Sequence, residues 1–187
     1  MEDKSKRNAI RANYTEKFIS QMRKESDRGS IIVAVSLLDD ILNQLLKAKL
    51  APSLDSRDEL FDTATAPFST FSAKIDLAYR LGLLRAEARA SFHQLRKIRN
   101  NFAHALDPKG FDSDSTKSRV SELLKLNKGI IDSMKSTFIN SGKMDIPEDS
   151  NIRDKLDDRL ILELVFSGSA AFMLAEIHDI DSIEALV

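Results

Sequence analysis

Cysteine is absent from all 187 residues, which excludes a disulfide framework and any thiolate zinc site and fits a reducing compartment. Glycine and proline are scarce, at six and four, so there are few breaks in regular structure and no glycine-rich phosphate loop. No window approaches the roughly 18 uncharged apolar residues of a membrane span, and the longest oily stretch, Ile31 to Leu38, is under half that length. The opening MEDKSKRNAIRANYTEK has no apolar run of the signal-peptide kind. A cytoplasmic protein with no membrane partner is expected. Charge of one sign is also lacking, since 28 Lys and Arg face 29 Asp and Glu for a net charge of −1. That balance argues against holding nucleic acid by bulk charge, although it leaves room for a local basic patch.

What remains is helical periodicity, because apolar residues recur every three or four positions and strand-like alternation is almost missing. A charged helix is expected over 4–25, with a thin stripe of Ile10, Tyr14, Phe18 and Met22. The most hydrophobic helix covers 30–50, with Ile31, Val35, Leu38, Leu42, Leu45 and Leu46 along one side. A loop with a short turn at 57–62 leads to a helix capped by Ser69 or Thr70 and stopped at Gly82. Residues 85–106 form a long amphipathic helix ended by Pro108 and Gly110, and the Asp112–Ser115 run caps another that Gly129 bends or divides. The segment 140–150 is expected to be a linker. Asp149-Ser150 then precedes a helix from about 152 to 178, punctuated by Ser167-Gly168-Ser169. The chain reads as one all-α domain, 1–187, a helical bundle with a long C-terminal helix packed across it.

The 85–106 helix breaks its own pattern. At 100° per residue, Phe92, Leu95, Ile98, Phe102 and Leu106 share one arc, and His93, Lys97, Asn100 and His104 fall opposite. Arg99 sits inside the apolar arc, where a charge is costly unless paired. On the 30–50 helix Asp39 makes the matching exception, and Asp40, on the more exposed side, is the second carboxylate in reach. A buried Arg99–Asp39 pair that fixes helix register is one reading, and a carboxylate that orients a working arginine is the other. His104, in the last helical turn, either complements the helix dipole or belongs to a site. Five residues are roughly 140° of rotation, so Arg99 and His104 converge only if the arginine reaches round, the helix end unwinds, or two subunits contribute.

The run LRKIRNNFAHAL, with Arg99-Asn100 and then His104, resembles the Arg-x4–6-His motif of the HEPN superfamily in its usual place late in a bundle helix. FSTFSAKIDLAYRLGLL, followed by an arginine-to-histidine helix, is similar to the central block of the mannitol operon repressor family. The resemblance covers residues 1–110, and 111–187 are further helices outside it. The HEPN resemblance implies a metal-independent endoribonuclease, toxin or defence related, with Arg99, His104 and Asn100 in a cleft between the protomers of a homodimer and RNA as substrate. Those residue types suit the chemistry, because an imidazole titrates near working pH and a guanidinium fits phosphate oxygens. The second resemblance implies instead a non-catalytic regulator working through protein contacts. An antitoxin or a regulatory protein is the partner expected in the two cases. The sequence departs from toxin-type members at 105–107, which are Ala-Leu-Asp where those carry a downstream tyrosine.

No cofactor or metal is expected. The three histidines are scattered, and Asp112-Ser113-Asp114 lacks the glycine and glutamate of a calcium loop, so it reads as a helix cap. There is no helix-turn-helix with a basic recognition helix, so sequence-specific DNA binding is not expected. Phe172 and Met173 read as core or dimer interface.

Overall fold

The computed structural model describes residues 2–104, 110–133 and 156–185, and they are helical with no strand among them. The principal helices are α1 (Glu2–Met22), α2 (Asp27–Lys49), α3 (Phe71–Arg80), α4 (Ala86–His104), α5 (Asp114–Leu126) and α6 (Asp158–Glu176). The all-α bundle expected from periodicity is what is observed. The 140–150 linker, the Asp149-Ser150 cap, Leu106 and Pro108 lie outside the described residues.

Helix ends follow from local chemistry. Ser26, Thr70, Ser113 and Asp157 each cap a helix by accepting a backbone N–H through the side chain. Thr70→Ala, which removes the bond from Ala73 N at 3.2 Å, is expected to cost about 1 kcal/mol, read as a shift in the denaturant midpoint. The end of α3 is a Schellman turn. Leu83 N donates to Ala78 O at 2.9 Å and Gly82 N to Tyr79 O at 3.1 Å, which needs φ +73° at Gly82, a conformation glycine adopts without strain.

Three helix features differ from the sequence expectation. The C-terminal helix starts at Asp158, after the Asp157 cap, rather than near 152. The division after α5 falls at Asn127 rather than Gly129, because the buried Asn127 amide donates to Leu123 O at 2.8 Å and Ser91 Oγ at 2.9 Å. The Ser167-Gly168-Ser169 run does not interrupt α6. Its serines are buried, and small side chains there let the neighbouring helices approach.

One core joins all six helices. On α2 the expected stripe is buried throughout, as are Phe92, Leu95, Ile98 and Phe102 of α4. The most apolar 18-residue window of α2 reaches a mean hydropathy of 1.5, and half of it is buried in the bundle, as expected of a core helix. α6 packs against α1 and α2. The α1–α6 pair is antiparallel. Arg7 and Arg11 meet Glu176 at one end at 3.8 and 2.6 Å, Phe18 meets Phe166 edge-on midway at 5.4 Å, and Arg159 meets Met22 O at the other at 2.9 Å.

Candidate functional site

The motif helix α4 stays helical through His104. Its end is held from outside by Arg28 of α2, whose Nη2 donates to Ala103 O at 2.9 Å. His104 is exposed, and Arg99 and Asn100 are half-buried. Because the last turn is not unwound, the rotation of about 140° and a rise of about 7.5 Å still separate Arg99 from His104. One chain therefore does not bring imidazole and guanidinium onto one face.

The expected Arg99–Asp39 pair is not formed. Asp39 Oδ1 lies 2.9 Å from Lys74 Nζ of α3, a charge contact off the directions of a hydrogen bond, since that oxygen has no hydrogen-bond partner. The reason is axial level. Arg28 at the start of α2 touches the end of α4, so the two helices run antiparallel. The same α3 that meets Asp39 through Lys74 meets α4 at Arg89 and His93 through Asp76. Asp39 therefore lies near the middle of α4, about 10 Å along the axis from Arg99. Lys74 is buried and its ammonium meets the carboxylate that α2 places in the core arc. Asp40 is exposed on the outer side of α2 and meets no cation among the described residues. Arg99 likewise has no acidic partner among them.

A carboxylate does orient a histidine on α4, but the pair is Asp76 and His93. Asp76 Oδ1 accepts from Arg89 Nε at 2.7 Å and lies 3.2 Å from His93 Nε2. An ionised carboxylate only accepts, so Nε2 carries the proton in this contact. The signal for this cluster was the tight Gly82 turn, which folds α3 back on α4 and makes Asp76 a neighbour of residues 89 and 93. Burial alone would raise the Asp76 pKa, but the hydrogen bonds from His93 and Arg89 outweigh it and hold the carboxyl below its usual value. A carboxyl with a depressed folded pKa contributes stability that is complete above its unfolded value of about 3.9 and is lost as pH falls through the folded value. Asp76→Asn is accordingly expected to lower stability at neutral pH and to flatten the acid limb below about pH 4, measured by thermal melts across that window.

An open depression of about 460 Å³ is lined by Asp27, Phe111, Asp112, Lys117, Leu156, Asp157, Asp158 and Arg159. None of Arg99, Asn100 and His104 is in its wall. Among the described residues no group of three His, Asp or Glu is placed to hold a metal ion. The arrangement offers an exposed imidazole at one helix end, with a guanidinium that meets no acid among the described residues about one and a half turns earlier on another face. No family model, curated protein or solved structure matches the chain.

Proposed function

We propose that this chain is a HEPN-like, metal-independent endoribonuclease that works in the cytoplasm as a homodimer, with Arg99, Asn100 and His104 of two α4 helices forming one composite site. The observation that carries the reading is that neither side chain has a partner among the described residues. His104 is exposed, and Arg99 has no acidic partner among the described residues. A charge left half-buried without a counter-ion costs stability, and a phosphodiester removes that cost. The divergence within one chain is met by two-fold symmetry, which places one protomer's imidazole beside its partner's guanidinium.

The chemistry balances. The 2′-hydroxyl of the RNA attacks phosphorus as one neutral His104 takes its proton. The guanidinium of Arg99 stabilises the charge on the phosphorane oxygens. The bond to the 5′-oxygen breaks, and that oxygen takes a proton from the second, protonated imidazole, leaving a 2′,3′-cyclic phosphate and a 5′-hydroxyl. Asn100 donates to a phosphate oxygen.

Total RNA incubated in EDTA tests this. Wild type is expected to cut and leave 2′,3′-cyclic ends. His104→Ala is expected to lose about 10²-fold in rate with an unchanged melting temperature, because the side chain is exposed. Arg99→Ala loses cleavage while keeping stability to within about 1 kcal/mol, as suits a residue whose removal strands no buried carboxylate. No cutting by a demonstrated wild-type dimer overturns the proposal.

The single-chain separation of Arg99 and His104 favours a second reading, a non-catalytic regulator similar to the mannitol operon repressor, with this end of α4 as its protein-binding surface. Under it neither alanine variant changes RNA, and both weaken binding of a protein partner.

A further inference from the structure

The arginines of the described residues divide into two groups. Arg7 and Arg11 meet Glu176, Arg23 and Arg159 meet Glu163, and Arg89 meets Asp76. In contrast, Arg80, Arg85, Arg96 and Arg99 meet no acid among the described residues, and Arg28 holds only the Ala103 carbonyl. These five are not scattered. They run from the end of α3, through the turn, along α4 and onto the start of α2. Arg57 and Arg119 form no salt bridge among the described residues either, but lie off this flank and donate to the Asp62 carbonyl, on the loop before α3, and to Gln94 from α5.

Residues 80–104 carry six Arg and Lys against one acid, Glu87, a net +5 inside a chain whose total is −1. The even overall balance hides this patch. On the α4 wheel Arg99 lies just inside the core arc, Arg96 and Arg89 stand at its edge, and Asn100 follows on the outer side, about 100° in all. From Arg89 to His104 the row is about 22 Å long. Arg96 is the informative member, because its Nε is buried with no hydrogen-bond partner. The stem is held against the bundle, and the guanidinium meets no partner among the described residues. A second observation points the same way. Tyr79 is 40% exposed at the other end of the row, with the Arg89 guanidinium 5.5 Å from its ring centroid.

We propose that this flank is the track for the sugar–phosphate backbone of a single-stranded RNA, with Arg28, Arg96, Arg99 and Arg85 on phosphates and Tyr79 as the face on which one base stacks. The inference rests on the RNA-directed reading above and adds residues that lie outside the motif. Cations in a row supply sequence-independent affinity, and an exposed aromatic ring supplies stacking that only an unpaired base can use. A duplex keeps its bases stacked on one another and leaves Tyr79 idle.

The test separates binding from cutting by using the full chain with His104→Ala and a short fluorescent single-stranded RNA, followed by anisotropy between about 50 and 200 mM salt. The log–log salt slope is expected near −3, for about four phosphates at roughly 0.7 each. Added Arg96→Gln or Arg85→Gln each reduces that slope by about 0.7, while Lys24→Gln, exposed on the α1–α2 turn, does not. Tyr79→Ala weakens binding about fivefold or more at every salt concentration. Arg28→Lys keeps the slope while the Ala103 bond is re-formed by the ammonium, which guards against loss of folding. Equal affinity for duplex RNA, preference for phosphatidylserine vesicles over RNA, or a slope indifferent to Arg96 and Arg85 overturns the track. Salt-dependent, Arg96-dependent binding by a wild type that never cuts keeps the track and removes the chemistry. Cutting with Arg96-independent affinity does the reverse.

Discussion

Replacing Arg159 by alanine is expected to destabilise the fold by about 3–5 kcal/mol. Its four bonds run to the second turn of α6 or to the α1–α2 corner. Nε donates to Glu163 Oε1 at 2.9 Å, Nη1 to Asp27 Oδ1 at 2.8 Å, and Nη2 to the carbonyls of Met22 and Glu25 at 2.9 and 2.8 Å. Two of these reach carbonyls of the α1–α2 corner, that of Glu25 and that of Met22, which also accepts from Glu25 N at 3.0 Å. The hydrogen bonds it donates to Glu163 and Asp27 hold the guanidinium pKa above its usual value despite burial. Glu163 is the reason for the size of the effect. Its side chain is 3% exposed, and without Arg159 it is a buried carboxylate whose other cation, Arg23, stands 3.9 Å away and is mostly in solvent. Denaturant unfolding of Arg159→Ala, Glu163→Gln and the double variant checks this. The double variant is expected to be more stable than Arg159→Ala alone, because the stranded charge is gone.

Phe102→Ala is expected to cost about 3–5 kcal/mol and to lower the melting temperature by roughly 6–20 °C for a chain of this size. Phe102 is 2% exposed, and its ring lies 5.2 Å from that of Phe111. The residue stands inside the motif, between Arg99 and His104, so the loss of activity it causes is a loss of structure. Asn101→Ala, one position earlier and exposed, stays within about 0.5 kcal/mol. The contrast with His104→Ala, which leaves the melt alone, separates the residues that build this helix end from those that it presents.

Angular position was legible in the sequence and axial position was not. The wheel put Phe92, Leu95, Ile98 and Phe102 in the core, and the structure buries all four. It also marked Asp39 as a carboxylate on a core face, which needs a cation. It had no means of choosing Lys74 over Arg99, since the choice depends on how far along each helix its partners sit. His93 shows the same gap. Its angle said solvent, and the tight return of α3 makes its side chain 19% exposed and bonded to Asp76. At α6 the sequence pointed to Asp149-Ser150 ahead of a helix from about 152, and Asp157 was not singled out. The observed cap is Asp157, whose carboxylate accepts from Leu160 N at 2.6 Å. The pair Arg159 and Glu163 has the spacing of an ordinary surface bridge, and nothing local says that the bundle closes over it. Arg28 carried no signal, because the carbonyl it holds is 75 residues away.

The antiparallel pairing of α1 with α6 has a consequence for synthesis. The main partner of the first helix is the last one, and the stripe on α1 that ends in Phe18 and Met22 is buried only against it and its neighbours. At about 5–20 residues per second, α1 emerges from the ribosome roughly 7–30 seconds before α6. During that interval the nascent chain exposes its oily stripe and lacks the arginine that ties the carbonyls of Met22 and Glu25 to α6. The helices from α2 to α5 have local partners and can assemble meanwhile. Closure of the bundle therefore waits for the arrival of Arg159, and the newborn protein has a window in which a chaperone, or a second nascent copy of the same chain, competes for the place of its own last helix.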